Sequence, residues 1–306
     1  MEKPKIIVIL GQTSTGKSDF AVKAAKQING EIISADSRQV YKGMDLGTGK
    51  ITEKEMRGIK HHLLDIVSPN KTFSASDFQK EADKKINEII KKGKVPIICG
   101  GTGFYIDSLI NESIFPKVPP NKKLREELSK KSASELFIIL KKIDKERAKN
   151  IDSNNSVRLI RSIEIAKSLG KVPILKSTIL SKYKVLKLGL ILEPETLKAK
   201  IKERLLNRIK KGMLKEIENL HKKGISWKRM NELGLEYRYG ALYLQGKLNK
   251  EEMIEKLNTE IWHFAKRQKT WFKRDKIIIW IDPTKNQTQA IDDICKFLSM
   301  NMRAGK

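Results

Sequence analysis

The residues at 11–18, GQTSTGKS, have the types and spacing of a Walker A phosphate-binding loop. Glycines let such a backbone curl around an anion, so that successive N–H groups point at the phosphate oxygens. The lysine adds a positive charge, and the serine hydroxyl can ligate Mg²⁺. We therefore predict a phosphate site with Mg²⁺ held at its last residue, formed by Gly11, Gln12, Thr13, Ser14, Thr15, Gly16, Lys17 and Ser18.

The Walker A pattern predicts that a phosphate is bound, but it does not identify the reaction. Most such loops hold a nucleoside triphosphate, and those enzymes usually carry an acid at the end of a buried strand. The predicted strand Val95–Cys99 ends in Cys-Gly-Gly, without an acid. Asp65 and Asp282 follow other apolar runs and are weaker substitutes. The sequence therefore disfavours an ATPase.

Asp36 follows a second predicted strand, 31–34. In a parallel sheet, an acid there lies at the edge where ligands bind, beside the phosphate loop. Such a carboxylate can act as a general base, but it can equally cap a turn or a helix. Both interpretations stay open at this point.

The segment 265–274, AKRQKTWFKR, places five basic residues among two aromatic ones. Its cations can bind phosphates, whereas Trp271 and Phe272 are more typical of a helix face packed in the core. Over the whole chain, 63 lysines and arginines face 36 acids, a net charge of +27. This charge favours a nucleic acid as partner, with an anionic membrane second.

The pattern of elements predicts an α/β fold, a P-loop NTPase-like doubly wound parallel sheet with an inserted all-helical subdomain. Apolar runs predict strands at 6–10, 31–34, 95–99, 184–192 and 276–282. Helical spacing predicts helices at 19–27, 76–92, 194–223 and 250–274. The helical, charged stretch 119–183 is predicted as the insertion, and 1–118 plus 184–306 as the core.

Two cysteines and four histidines give neither a disulfide framework nor a zinc-site spacing. The apolar run that ends at Leu10 is too short for a signal sequence or a membrane span. We therefore expect a cytoplasmic protein without a membrane partner, and a monomer.

Several segments together resemble the tRNA dimethylallyltransferases, also called tRNA isopentenyltransferases. They are the phosphate loop, SADSRQVYKGMDLGTGK (34–50), HHLLDIV (61–67), PIICGGTGFYI (96–106), NNSVRLIRSIEIAKSLGK (154–171), GLEYRYGALYLQG (234–246) and KRQKTWFKRD (266–275). The resemblance covers nearly the whole chain, and the lack of a zinc-finger segment indicates the bacterial type. It implies transfer of the dimethylallyl group of dimethylallyl diphosphate to N6 of adenosine 37, 3′ of the anticodon.

The resemblance also implies roles for individual residues. Asp36 matches the family's general base, Arg204 matches an arginine that clamps the diphosphate, and Lys17 and Ser18 with Mg²⁺ stabilise the leaving group. Read alone, Arg204 would be an ordinary helix-surface arginine. Residues that match tRNA contacts lie in 36–39, 157–161, 233–238 and 266–273, and include Asp36, Ser37, Arg38, Gln39, Thr102, Arg125, Val157, Arg158, Leu159, Ile160, Arg161, Tyr237, Arg238, Lys266, Arg267, Gln268 and Trp271.

Three alternatives use the same features differently. An adenylate isopentenyltransferase would prenylate free nucleotide and would not need the insertion or the basic segment. A small-molecule kinase would consume ATP and has no use for the charge of +27. A non-catalytic RNA-binding protein would not need an intact Lys17-Ser18 pair.

Overall fold

The computed structural model describes residues 3–173 and 181–299, and its core is one six-stranded sheet. All strand pairs are parallel, in the order β3-β2-β4-β1-β5-β6. Residues 6–10 are buried throughout because helices cover a parallel sheet on both faces. The strands are β1 (Lys5–Gly11), β2 (Gly30–Ser34), β3 (His61–His62), β4 (Val95–Gly100), β5 (Lys184–Leu190) and β6 (Ile279–Ile281).

Helices connect and flank these strands, which confirms the predicted fold class. Ile7 and Ile9 of β1 pack with Phe20 of the first helix in one apolar cluster. The helices are α1 (Lys17–Gln27), α2 (Glu53–Met56), α3 (Ala75–Lys91), α4 (Gly103–Ile110), α5 (Lys122–Ser129), α6 (Ala133–Ile143), α7 (Lys145–Lys149), α8 (Ser156–Leu169), α9 (Pro194–Lys210), α10 (Met213–Lys222), α11 (Trp227–Leu233), α12 (Leu235–Leu244), α13 (Lys250–Phe272) and α14 (Gln287–Ser299).

The structure differs from the prediction at several elements. The helix predicted over 194–223 is two helices, because Gly212 has a φ of 102° and ends the first of them. The last strand is shorter than the predicted 276–282, and β5 ends at Leu190. The edge strand β3 was not predicted, because two residues are too few to show an alternating pattern.

The described residues form two compact units, one within Met1–Glu112 and Ile179–Lys306 and the other within Ser113–Thr178. The second unit contains α5 to α8, and its core is formed by Leu128, Leu136, Leu140, Leu159 and Ile163. The predicted insertion, 119–183, includes 174–180, which lie outside the described residues. No helix in the described ranges is long and apolar enough to cross a membrane.

The carboxyl ends of β1, β2 and β4 lie together at one edge of the sheet. Leu10 is in register with Gly100, and Ser34 with Cys99. The loops at this edge are in close contact, since a Cβ on Gly100 would lie 2.2 Å from the carbonyl oxygen of Ala35. The parallel topology therefore brings the phosphate loop, the segment around Asp36 and the glycines after β4 to one place.

Candidate active site

The phosphate loop leads directly into α1. Gly16 precedes the helix with a φ of 86° and, as a glycine, has no side chain that could cap the first turn. The N–H groups at the start of α1 thus lack intrahelical partners, as at every helix start, and can bind an anion. The loop is braced internally by Thr15, whose Oγ1 donates to the carbonyl oxygen of Gln12 at 2.8 Å. Ser18 is exposed at the second helical position.

Lys17 lies across this loop, with its Nζ donating to the carbonyl oxygen of Gln12. Burial lowers the pKa of Lys17 from 10.5 to about 8. The charge of Arg204 also lowers this pKa, whereas Cys99 and Asp36 oppose the shift. The predicted phosphate lysine, clamp arginine and base are therefore close enough to interact electrostatically.

Asp36 lies half-buried immediately beyond β2. Its Oδ1 accepts hydrogen bonds from the backbone N–H groups of Arg38, at 2.8 Å, and Gln39, at 3.2 Å. This is the Asx turn that the sequence left as an alternative. Among the described residues, no hydrogen bond to Oδ2 is found, so the carboxylate has a second oxygen for proton transfer. Capping the turn and acting as a base are compatible here.

Residues after β4 contact the turn at Asp36. The Oγ1 of Thr102 accepts from the backbone N–H of Ser37 at 3.0 Å, and the Thr102 N–H donates to Ala35 at 3.2 Å. Gln39 reaches the other way and donates from Nε2 to the carbonyl oxygen of Gly49 at 3.4 Å. The structure therefore brings together the predicted contact residues Ser37, Gln39 and Thr102.

Arg204 of α9 points toward this site and not into solvent. Its Nη2 donates to the carbonyl oxygen of Gly49 at 2.9 Å. Burial and the neighbouring Arg208 lower the pKa of Arg204, while Glu236 and Asp36 are among the acids that raise it. A guanidinium this close to the phosphate loop can bind a diphosphate with its remaining N–H groups.

The long helix α13 holds the phosphate loop in place. The Oε1 of Gln268 accepts from the backbone N–H of Thr13 at 2.8 Å, and its Nε2 donates to Gly101 at 2.9 Å. Gln12 donates from Nε2 to Ala265 at 3.1 Å. Gln268 is 6% exposed, and both ends of its amide are used. These bonds indicate a role in positioning the loop, and the predicted contact of Gln268 with tRNA stays a prediction.

Other predicted tRNA-contacting residues also lie in the interior. Leu159 is fully buried in the core of the helical unit, and Tyr237 is 2% exposed. Trp271 is half-buried, and its indole Nε1 donates to Asp107 at 2.8 Å. These side chains pack against the protein itself, as apolar and aromatic groups at helical spacing usually do, and their predicted contacts with tRNA stay predictions.

The cations of the predicted contact set divide into exposed and paired groups. Arg125 and Arg161 both bind the buried Glu164 of α8, so their charges are partly neutralised. Ile160 is partly buried beside them, and Arg38 is partly buried at the turn. The exposed residues of the set are Val157, Arg158, Arg238, Lys266 and Arg267.

A family model for the IPP transferases matches residues 39–275. The chain belongs to the IPP transferase family. A relative from Treponema denticola, tRNA dimethylallyltransferase 2, is 45% identical over 277 residues, which are 89% of this chain and 93% of that protein. The tRNA dimethylallyltransferase of Clostridioides difficile is 39% identical over 300 residues, 96% of each chain. The resemblance found in the sequence is thus confirmed.

Solved structures agree with this membership of the IPP transferase family. The full-length tRNA isopentenylpyrophosphate transferase of Bacillus halodurans matches with a TM-score of 0.75 and 34% identity, over 99% of each chain. A eukaryotic dimethylallyltransferase acting on tRNA matches with a TM-score of 0.79 and 26% identity, over 97% of this chain and 80% of that one.

The two weaker substitutes for the strand-end acid of ATPases both have partners within the protein. Asp65 pairs with Lys50 at 2.5 Å, and Asp282 accepts from Thr284. Among the described residues, no group of three His, Cys, Asp or Glu side chains could hold a metal. Ser18 alone, with phosphate oxygens and water, is a donor set that suits Mg²⁺, which keeps few protein ligands in phosphate sites.

The residues that hold the loop 41–50 were not predicted from the sequence. Glu216 of α10 accepts from backbone N–H groups of this loop, and Arg208 of α9 donates to it. Both residues fall in amphipathic helices, where a charged residue is typical of the solvent face. Their partners are backbone groups far away in sequence, so no local signal could have found them.

Proposed function

We propose that this chain transfers the dimethylallyl group of dimethylallyl diphosphate to N6 of adenosine 37, immediately 3′ of the anticodon of tRNA. One observation carries the proposal: a carboxylate, Asp36, lies beside a Walker A loop whose neighbouring strand β4 ends in Cys99-Gly100 and not in an acid. The relatives' names, tRNA dimethylallyltransferase, support the same reaction.

The phosphate loop would hold the diphosphate. As the allylic carbon–oxygen bond breaks, negative charge develops on the leaving diphosphate. The N–H groups at the start of α1, Lys17 and Arg204 would stabilise that charge, since preorganised donors act most strongly where charge develops. When bound at Ser18, Mg²⁺ would supply further charge neutralisation.

Asp36 would remove a proton from the attacking amino group. An adenine N6 is a poor nucleophile because its lone pair is conjugated with the ring. The N6 lone pair forms the new bond to carbon as the carbon–oxygen electrons leave with diphosphate. The N6 proton passes to the free Oδ2 of Asp36, which lies half-buried at the site.

The exposed cations would bind the tRNA. Arg158, Arg238, Lys266 and Arg267 carry charges at the surface, and the chain as a whole carries +27. Phosphate contacts of this kind position an RNA, while the target base must be splayed out of its stack to react. A tRNA substrate implies action in the cytoplasm. All the proposed catalytic residues lie in one unit of one chain, so we propose a monomer as the active form.

The test incubates the protein with unmodified tRNA, Mg²⁺ and either dimethylallyl diphosphate or ATP, and analyses the nucleosides of the tRNA. We expect N6-(dimethylallyl)adenosine only with dimethylallyl diphosphate. A parallel reaction with AMP in place of tRNA tests prenylation of free nucleotide. Prenylated AMP with unmodified tRNA, or ATP consumption without prenylation, would overturn the proposal.

A further inference from the structure

One carboxylate, that of Glu216, binds several backbone N–H groups of the loop 41–50. Glu216 of α10 accepts from three consecutive backbone N–H groups, those of Asp45 at 2.9 Å, Leu46 at 2.6 Å and Gly47 at 3.0 Å. The Tyr237 hydroxyl donates to the same carboxylate at 2.8 Å. Four donors fill the acceptor capacity of one carboxylate. Successive backbone N–H groups that point at one anion form an anion-binding nest. In this protein the anion is the carboxylate of Glu216.

The next residues of this loop bind the guanidinium groups of α9. Gly47 accepts from Arg208 Nη1 at 2.9 Å, and Gly49 accepts from Arg204 Nη2 at the same distance. A Cβ on Gly49 would lie 2.3 Å from the Arg204 guanidinium. The loop therefore fits closely against Arg204, and a shift of the loop moves the carbonyl that orients this arginine.

Among the described residues, Gly49 is the one hydrogen-bond partner found for the Arg204 side chain. The orientation of its guanidinium thus depends on the loop that Glu216 fixes. Gln39, next to the Asp36 turn, donates to the same Gly49 carbonyl. Glu216 of α10 is consequently linked, through the loop, to Arg204 and to the turn at Asp36.

We propose that Glu216 is a positioning residue, which holds the loop 45–49 so that Gly49 aims Arg204 at the diphosphate. This inference rests on the proposed function for the role of Arg204. Glu216 itself touches no substrate. Its removal is expected to impair the stabilisation of the leaving group and to leave tRNA binding intact.

The main test compares Glu216→Gln with Glu218→Gln. Glu218 lies on the same helix but, within residues 3–173 and 181–299, forms its ion pairs with Lys215 and Lys222 at the surface. In Glu216→Gln an amide N–H₂ faces backbone donors, so the loop shifts. We expect kcat to fall about 10- to 100-fold, as for a small misplacement of a catalytic group, with the KM for tRNA unchanged. Glu218→Gln is expected to behave as the wild type.

A double-mutant cycle separates positioning from a general loss of structure. In an Arg204→Gln background, Glu216→Gln is expected to have little further effect on kcat, because the two act through one contact. Equal losses in both backgrounds, or a wild-type kcat in Glu216→Gln, would overturn the proposal. If Glu216→Gln does not fold, Tyr237→Phe removes one donor to Glu216, and its smaller loss must likewise vanish in the Arg204→Gln background.

Binding of inorganic pyrophosphate, measured by calorimetry, keeps this inference distinct from the proposed reaction. We expect Glu216→Gln to bind pyrophosphate about 10-fold more weakly, or about 1.4 kcal/mol, while Glu218→Gln binds as the wild type. This readout needs no prenyl transfer. A wild type that makes no prenylated tRNA would therefore contradict the reaction, and unchanged pyrophosphate binding in Glu216→Gln would contradict the positioning role.

Discussion

At the scale of single residues, Asp36 has two separable tasks. Asp36→Asn keeps an oxygen that can accept from the N–H groups of Arg38 and Gln39, so the turn should survive. The amide cannot take a proton, and we expect kcat for prenyl transfer to fall about 10²- to 10⁴-fold. Single-turnover assays with tRNA measure the proton-transfer task. A tRNA binding assay shows whether the turn is kept. Undiminished turnover would remove Asp36 from the role of base.

Lys17 gives the site a specific dependence on pH. Its pKa of about 8 means that the free enzyme loses this positive charge above pH 8. We expect kcat/KM for dimethylallyl diphosphate to fall roughly tenfold per pH unit above that value. In Lys17→Arg the guanidinium stays charged, so this alkaline limb should disappear even if the rate is lower.

The free energy of unfolding should rise with pH over the range in which kcat/KM falls. Because the folded pKa of Lys17 lies below 10.5, the unfolded chain binds more protons between about pH 8 and pH 10.5. The contribution of Lys17 to the free energy of unfolding thus rises with pH over this window. Denaturant titrations at both ends of it, with Lys17→Arg as the control, would show whether lost activity reflects unfolding.

The sequence predicted these residues to different extents for physical reasons. The phosphate loop is a continuous motif, and Asp36 lies at a strand end, so both are local signals. Glu216 could not be predicted, because its partners in the loop are backbone groups 169 to 171 residues away. Arg204 was assigned through the family resemblance, since its own sequence context is that of a helix surface.

At the scale of elements, α13 presents two neighbouring residues with different tasks. Gln268→Leu leaves the Thr13 N–H and the Gly101 carbonyl unpaired, at a cost of about 1–3 kcal/mol each. We expect a raised KM for dimethylallyl diphosphate and unchanged tRNA affinity. Arg267→Gln, on the exposed side, should instead weaken tRNA binding and leave that KM unchanged. The reverse pattern would contradict these assignments.

Within the helical unit, Glu164 joins α5 to α8. Burial favours its neutral form, but hydrogen bonds from Arg125, the Asn121 N–H and Arg161 outweigh this and lower its pKa to about 2. Its contribution to stability is therefore complete above about pH 4.5 and is lost as the pH falls toward 2. Glu164→Gln should lower the free energy of unfolding by about 2–3 kcal/mol at neutral pH. Chemical denaturation at pH 7 and pH 3 tests this, with a smaller difference expected at pH 3.

Elements with a strong apolar period were predicted well, whereas a break within a long periodic stretch was not. The buried strand β1 and the amphipathic α3 agree with the prediction to within one residue at each end. The break at Gly212 was missed because apolar spacing continues from α9 into α10, and one glycine does not interrupt that period.

At the scale of the whole molecule, the net charge of +27 should dominate the affinity for tRNA. We expect the logarithm of the binding constant to fall linearly with the logarithm of salt concentration, with a slope of about −0.7 to −0.9 per phosphate neutralised. Arg158→Gln, at an exposed cation of α8, should reduce that slope by about one phosphate contact. Filter binding at several salt concentrations measures it, and a flat response would contradict an electrostatic interface.

The pKa of Cys99, near the end of β4, decides whether its sulfur reacts with an allylic substrate. An allylic diphosphate is an alkylating agent, and a thiolate beside it would be a better nucleophile than an adenine. Burial raises the pKa of Cys99 to about 12, with Asp36 also raising it and Lys17 opposing, so its sulfur stays protonated. Because only the thiolate reacts readily, the buried thiol is protected from self-alkylation. In the proposed reaction, the apolar surroundings of this strand end would thus preserve dimethylallyl diphosphate for transfer to tRNA.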